Sequence, residues 1–221
     1  SNNTAVGYQA AYSCATNTGI TAIGSSSFKN TTGNDNTGLG RNTGYSTTTG
    51  IVNTFIGVDT GYYNTTGSYN ISISGLTNNT TGSYNTALGT QALNSNTTAS
   101  NNNALGYQAL YSNQTGERNS AFGRAALYAN TNSDNSAFGH ASLQANTSGT
   151  ANTAVGTQAL QANTTASYNT AVGYQAGYTN STGNRNTFVG YLSGYTSNAT
   201  GGQGYNTCIG YTSGYSLTTG Y

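Results

Sequence analysis

The stretch Asn152-Thr153-Ala154-Val155-Gly156 decides the fold, because the chain repeats it in close variants thirteen times within 221 residues. The interval between successive copies is 17 in most cases, and the four exceptions are 15, 16, 16 and 20. Repetition at a short fixed period is typical of solenoids. We therefore predict an all-β parallel β-solenoid (β-roll) of about 13 coils with a repeat of about 17 residues, forming a single domain over residues 1–221. The final residue of each phrase is called position 0: Gly7, Gly24, Gly40, Gly57, Ser74, Gly89, Gly106, Gly123, Gly139, Gly156, Gly173, Gly190 and Gly210.

The alternation of residue types within the repeated phrase predicts a short strand. Position −1 is large and apolar in every repeat, from Val6 to Ile209, whereas position −2 is usually Ala and position −3 usually Thr or Ser. This alternation at period two predicts a strand with two different faces. We expect the side chains at −1 to fill the core. The small residues at −2 then face outward, where another backbone can approach.

Asparagine occupies position −4 in every repeat except one, which has Ile20. Stacked coils place equivalent positions about 4.8 Å apart, so these residues are expected to form a ladder of amide side chains. Asparagine can also simply turn the chain into the strand. The ladder residues are Asn3, Asn36, Asn53, Asn70, Asn85, Asn102, Asn119, Asn135, Asn152, Asn169, Asn186 and Asn206.

The rest of each coil contains a small residue at +3 and often Leu at +4, which predicts a second, shorter strand against the same core. A turn such as Asn64–Gly67 follows. Its glycine is replaced by Asn17 and Asn132 in two repeats, which favours a left-handed backbone there. Ala99 and Ala166 do not fit that pattern.

The composition excludes several classes of function. Lys and Arg number five, Asp and Glu four, and they are scattered, so no basic patch is available for nucleic acid. No apolar run approaches the roughly 20 residues that span a bilayer, and we expect no membrane insertion. Cys14 and Cys208 are about eleven repeats apart, too far for an internal disulfide.

The ionisable residues do not form a catalytic pattern. His140 has no carboxylate or cysteine in its own repeat, and Asp35 and Asp134 are six coils apart. A general acid and base must act on the same bound substrate, which this separation prevents. We predict no catalytic residues, no metal site and no cofactor, and therefore no enzymatic activity.

Tyrosine recurs at position +5. Stacked along a solenoid, these rings predict a structural ladder or a subunit contact. A platform for carbohydrate is the alternative. The residues are Tyr12, Tyr45, Tyr62, Tyr111, Tyr128, Tyr178, Tyr195 and Tyr215.

The acceptor pattern for N-glycosylation, Asn-x-Ser/Thr, recurs at position +7. Turn chemistry accounts for these residues without sugar, and glycan attachment is the alternative. The candidate sites are Asn64, Asn96, Asn113, Asn146, Asn163 and Asn180.

Neither end of the repeat array carries an atypical coil, so we expect a solenoid uncapped at both ends. Two interpretations fit: a segment of a longer array, or subunits that stack head to tail into a fibre.

The phrases Asn3–Gly7, Asn53–Gly57 and Asn152–Gly156 resemble the repeats in the heads of trimeric autotransporter adhesins, and similar arrays in bacterial surface proteins and phage tail-fibre-like proteins. The resemblance implies a parallel β-roll with three chains side by side and the small residues of the phrase facing the other chains. The period of 17 is longer than that family's usual spacing of about 14, and Phe55 and Phe188 occupy a position that is normally small.

These features lead to three hypotheses for function. The first is a non-enzymatic extracellular structural protein, part of a self-associating fibre or adhesin on a cell or virion surface. The partner is then the chain itself, as a lateral trimer or a head-to-tail fibre. The second is a glycan- or receptor-binding module of a tail fibre or adhesin. The third is ice binding, although the threonines at +8 and +9 are irregularly placed.

Overall fold

The computed structural model describes residues 2–197 and 204–217; Ser1 and residues 218–221, where the sequence analysis places the uncapped ends, lie outside the described residues. All thirteen strands lie in one parallel sheet and pair only with their neighbours in sequence. The described residues contain no helix. The chain is thus a β-solenoid of about 12 turns with coils of about 17 residues, which confirms the predicted fold class. The strands β1 to β13 are Thr4–Val6, Thr21–Ile23, Thr37–Leu39, Thr54–Ile56, Ile71–Ile73, Thr86–Leu88, Asn103–Leu105, Ser120–Phe122, Ser136–Phe138, Thr153–Val155, Thr170–Val172, Thr187–Val189 and Thr207–Ile209.

The strands stack in strict register. Ala154 lies opposite Ala137 on one side and Ala171 on the other. The register is kept even where the repeat interval is shortened, since Ser72 lies opposite Ala87. Changes in coil length are therefore absorbed in the turns, and equivalent side chains form continuous rows along the solenoid.

The two faces of each strand are reversed relative to the prediction. The middle residue, at −2, is buried in every strand from β2 to β13, as at Ala104 and Ala121, whereas Ile73 and Ile209 at −1 are 42% and 67% exposed; in the first strand all three residues are exposed. The expectation that position −1 fills the core is therefore wrong. The physical reason is that another large side chain in the coil already occupies the interior.

That side chain is at position +4. It is leucine, fully buried, at +4 in five successive coils and at +2 in the shorter coil before them, and the residue facing it at −2 is Ala or Ser. In two coils the sizes are exchanged, since Phe55 and Phe188 at −2 accompany Gly61 and Gly194 at +4. Each of these coils thus contributes one large side chain to the core. The six leucines are Leu76, Leu93, Leu110, Leu127, Leu143 and Leu160.

Positions +1 to +6 form a run of turns, so the predicted second strand is wrong. The backbone is left-handed at +2 and +4, with φ of 57° at Gln108 and 53° at Leu110. A left-handed residue costs roughly 1–2 kcal/mol, and burial of a leucine contributes about 1.5–3 kcal/mol in return. Coil-to-coil hydrogen bonds continue here, from Leu110 N to Ala126 O at 3.0 Å and from Ser112 N to Tyr128 O at 3.0 Å.

The glycine that ends the Asn-Thr-Thr-Gly turn, at +10, is not left-handed, so that prediction is also wrong. Close approach between coils explains why the position is small. A Cβ atom on Gly116 would lie 2.7 Å from the carbonyl carbon of Asn132 in the next coil. Ala99 and Ala166 occupy this position in two coils, which shows that a methyl group is accommodated there.

Candidate interaction surfaces

One side of the solenoid is a continuous sheet face. The side chains at −3 and −1 of β1 to β13 point away from the core, and together they are called the strand face. In eight strands the apolar residue at −1 is between 37% and 67% exposed. No charged residue occurs at either position. An uncharged surface with a row of apolar side chains therefore extends along all thirteen strands.

The asparagines at −4 are held by hydrogen bonds between coils. Eleven of the twelve are buried, and Asn3 is only partly exposed. In a typical case, the Oδ1 atom of Asn102 accepts a hydrogen bond from Asn119 N at 2.9 Å, and its Nδ2 atom donates to Gly116 O at 2.9 Å. The row therefore joins each strand to the strand and the turn of the next coil.

The six asparagines at +7 that match the glycosylation pattern are also fully buried. Each donates from Nδ2 to the carbonyl three residues later at 2.8–3.0 Å. A glycan attaches at that same Nδ2 atom, so the folded coil has no room for one. In the fold these positions are turn and core residues, which favours the turn interpretation over the alternative of glycan attachment. They are Asn64, Asn96, Asn113, Asn146, Asn163 and Asn180.

The tyrosines at +5 stack in short groups. Ring centroids are 5.0 Å apart in the pair Tyr45–Tyr62, 5.2 Å in the pair Tyr111–Tyr128, and 5.1 Å between Tyr178, Tyr195 and Tyr215 in sequence. Tyr12 is 71% exposed, and its neighbour in the next coil is not a tyrosine. Burial raises the pKa of the Tyr195 hydroxyl, and charge repulsion from the hydroxyl groups of neighbouring tyrosines adds to the shift. Stacked rings cover one another's faces, so most of these tyrosines present only edges and hydroxyl groups to a ligand.

A second row that contains aromatic residues lies at position −5, separate from the tyrosines at +5, and was not predicted from the sequence. Tyr69 and Tyr84 stack with their centroids 5.0 Å apart. Further along, the Arg185 guanidinium lies between Tyr168 and Tyr205, at 5.3 and 5.5 Å from the two ring centroids. These contacts tie successive coils together on the outside of the turn.

The charged residues form small separate groups. Arg118 contacts Asp134 with two hydrogen bonds of 2.7 and 3.1 Å, and Glu117 with one of 3.0 Å. His140 lies 3.0 Å from Arg124 through its Nε2 atom. Asp35 makes no ion pair within the described residues. Among those residues, no three His, Cys, Asp or Glu side chains come together in a way that would hold a metal ion.

The two cysteines are free thiols. Burial raises the pKa of both Cys14 and Cys208. The Sγ atom of Cys14 lies 3.8 Å from Thr31 O, and Cys208 is part of the core. Both therefore act as small packing residues.

One coil creates a depression in the surface. The coil that runs from Ser74 towards Gly89 is shorter than its neighbours. Leu76 already occupies the role of +4 in it, because its N–H donates to Ala92 O, as Leu93 N donates to Ala109 O. The residues equivalent to +1 and +2 are therefore missing. Beside the gap is a cavity of about 280 Å³, called the short-coil notch, lined by Arg41, Asn42, Asp59, Tyr62, Tyr63 and Thr77.

Sequence reasoning did not find the notch and did not single out Asp59 as a site residue. The available signal was the interval of 15 between Ser74 and Gly89, the shortest in the chain. That interval predicts a missing segment but does not indicate which side chains border it.

No protein-family model matches this chain, and no curated protein or solved structure compared with it gives a match. None of the described residues belongs to a helix long and apolar enough to cross a lipid bilayer.

Proposed function

We propose that this chain is a non-enzymatic structural protein of an extracellular fibre or adhesin, on a cell or virion surface, and that it associates laterally with copies of itself. The observation that carries the proposal is the strand face, with its apolar row and absence of charge. Exposed apolar patches larger than a few hundred Å² are rare on monomeric proteins and mark interaction sites.

The size of the strand face is compatible with such a contact. Thirteen strands spaced about 4.8 Å apart give a length of about 60 Å, and three residues give a width of about 10 Å. The footprint is therefore about 600 Å² on each partner, which is the low end of the range for specific interfaces. A contact along the whole length is needed to reach this area, which favours side-by-side packing of parallel rods.

The likeness of the repeat to trimeric autotransporter adhesin heads and to tail-fibre-like repeats supports an assembly of several chains side by side. The contact differs from the one that likeness implies. The small residues at −2, such as Ala104, are fully buried inside the coil, and the apolar residues at −1 and the threonines at −3 are left to meet a partner.

The oligomeric state in solution tests the proposal. We compare the wild-type chain with the double variant Val155→Lys/Val172→Lys, which places two charges on the strand face. The matched control is Thr157→Lys/Tyr174→Lys, at the exposed position +1 in the same two coils, where Arg41 and Arg124 occur naturally.

The expected result by light scattering coupled to gel filtration is a concentration-dependent oligomer for wild type and control, and a monomer for the strand-face variant. Circular dichroism verifies that all three keep the β signal. A wild-type chain that stays monomeric at every concentration would overturn the proposal, as would association that persists in the strand-face variant.

Ice binding is a second candidate for the same surface. Threonine occupies −3 in nine of the thirteen strands, directly beside the apolar row at −1, so hydroxyl and methyl groups repeat regularly along an uncharged face. The threonines at +8 are less suitable, since the Thr48 and Thr147 hydroxyls, for example, donate to the next coil. A thermal-hysteresis assay on monomeric chain separates this candidate from self-association, and the absence of hysteresis excludes it.

A further inference from the structure

We propose that the short-coil notch is a binding site for a neutral saccharide, one sugar ring in size. This site is distinct from the strand face, because its residues belong to positions +1 to +6 and none of them lies on the sheet. The inference therefore does not depend on whether the chain associates with itself.

The size of the notch limits the ligand. Pockets for drug-sized ligands have volumes of roughly 300–1,000 Å³, and the notch, at about 280 Å³, lies just below that range. A single pyranose ring is of this order, with neighbouring sugars of a longer chain left in solvent. The cavity lies beside the coil at Ser74, from which the residues equivalent to +1 and +2 are absent.

An aromatic ring in the notch has an available face. Tyr63 is 51% exposed and meets Tyr62 edge-on, with centroids 4.8 Å apart and planes at 71°. Tyr63 is at position +6, and the equivalent residue of the next, shorter coil is Asn78. No tyrosine of that coil therefore covers the Tyr63 ring. Tyr63 thus differs from the stacked tyrosines at +5, and the C–H face of a pyranose can pack on an amphipathic ring of this kind.

The polar side chains of the notch supply both donors and acceptors in planar groups. Asn42 Nδ2 donates to Asp59 Oδ1 at 2.9 Å, while Arg41 Nη2 reaches Asp59 Oδ2 only at 3.5 Å. Within the described residues this long contact is the one hydrogen bond of the Arg41 guanidinium. Planar carboxylate and guanidinium groups bind two neighbouring oxygen atoms at once, which suits the vicinal hydroxyl groups of a sugar.

Comparison with the ion pair between Arg118 and Asp134 supports this assignment. Arg118 holds Asp134 with two short hydrogen bonds, of 2.7 and 3.1 Å, and lowers the pKa of that carboxyl group. Asp134 is therefore already satisfied by its partner, whereas Asp59 and Arg41 are loosely paired and border a cavity. The two charges of the notch cancel, so a neutral ligand fits better than an anion or a cation.

The test is saturation-transfer NMR with the methyl glycosides of glucose, galactose, mannose and N-acetylglucosamine, and with methyl glucuronide and glucosamine as charged probes. The variants are Tyr63→Ala, which removes the ring, and Asp59→Asn, which keeps the shape and removes the charge. The matched controls are Tyr12→Ala, an exposed tyrosine at +5, and Asp134→Asn, a carboxylate paired with Arg118.

We expect at least one neutral glycoside to bind with a Kd on the order of 1 mM, and each notch variant to weaken it by about tenfold or more. Asp59→Asn loses hydrogen bonds to a charged group, and Tyr63→Ala loses the ring on which the sugar packs. The controls should bind as wild type does. Circular dichroism of each variant verifies the fold. The absence of transfer to every neutral glycoside overturns the proposal, as does binding that survives both notch variants, or a preference for either charged probe.

Discussion

Phe55 fills the space that Gly61 leaves open: a Cβ atom on Gly61 would lie 2.5 Å from Cε2 of the Phe55 ring. Gly61 is left-handed, with φ of 64°, close to the 53° of Leu110 at the equivalent position. The backbone of the coil is therefore the same whether the large side chain comes from −2 or from +4. The two positions share one volume inside the solenoid.

This relationship predicts that the two positions are strongly coupled. Phe55→Ala should lower the free energy of unfolding by about 3–5 kcal/mol because it opens a cavity. Gly61→Leu alone should also destabilise, since its side chain meets the phenylalanine ring. The double variant Phe55→Ala/Gly61→Leu recreates the Ala and Leu arrangement of the coil that contains Leu110. It should therefore recover part of the loss.

Urea denaturation followed by circular dichroism measures the three variants. A double-mutant cycle gives the coupling between neighbouring residues, which is typically about 0.5–3 kcal/mol. Additive effects of the two substitutions would contradict the shared volume.

The row of asparagines at −4 leads to a second prediction. Asn102→Ala should lower the free energy of unfolding by about 1–3 kcal/mol, because the buried Asn119 N loses its partner, whereas Gly116 O keeps the hydrogen bond from Asn113 Nδ2 at 2.8 Å. The control is Asn103→Thr, one residue later on the exposed strand face, where most strands have threonine. Equal stability losses for the two variants, measured by urea denaturation, would count against the hydrogen-bonded row.

The period of the repeat was sufficient to predict the strands, their parallel order and their register, since identical positions must stack if every coil has nearly the same length. It was not sufficient to predict which face is buried. A three-residue strand alternates equally well in either sense, and the larger residue was assumed to face inward. The coincidence of Phe55 with Gly61, and of Phe188 with Gly194, was the signal in the sequence that positions −2 and +4 share the core.

The left-handed leucines could not be predicted, because a bulky residue rarely adopts positive φ. Leu110 does so in this fold because its side chain becomes buried and its N–H bonds to the next coil. The short-coil notch was predictable only as an interruption in the period. Its chemistry depends on Arg41 and Asp59, which belong to two successive coils and are brought together only by the stacking of those coils.

The anchor glycines lead to a third prediction. Gly156 has φ of 132°, a conformation that is essentially restricted to glycine, and a Cβ atom there would lie 2.7 Å from the carbonyl carbon of Gly173. Gly156→Ala should therefore cost about 1–3 kcal/mol of strain in addition to the clash. Gly149→Ala, at the position that holds Ala99 and Ala166, should cost less. A larger loss for Gly149→Ala in urea denaturation would contradict this reading of the coil.

The ion pair between Arg118 and Asp134 leads to a fourth prediction, on pH. The hydrogen bonds from Arg118 lower the pKa of Asp134 below its ordinary value of 3.8. A carboxyl group whose pKa is lower in the folded state contributes stability above its unfolded pKa and loses it as the pH falls through the folded value. The effect is small because the pair is exposed. Asp134→Asn should thus have a slightly lower Tm than wild type at pH 7, and the difference should begin to shrink as the pH falls below about 4 and be lost once the pH is below the lowered pKa of the folded state.

The control for this measurement is Asp35→Asn, which removes a carboxylate at the same position −5 that makes no ion pair within the described residues. Its Tm difference from wild type should not follow the same course between pH 7 and pH 3. High salt should reduce the Asp134→Asn difference at pH 7, because exposed pairs are screened. A difference that persists unchanged at pH 3 would mean that Asp134 stabilises the coil through packing rather than through its charge.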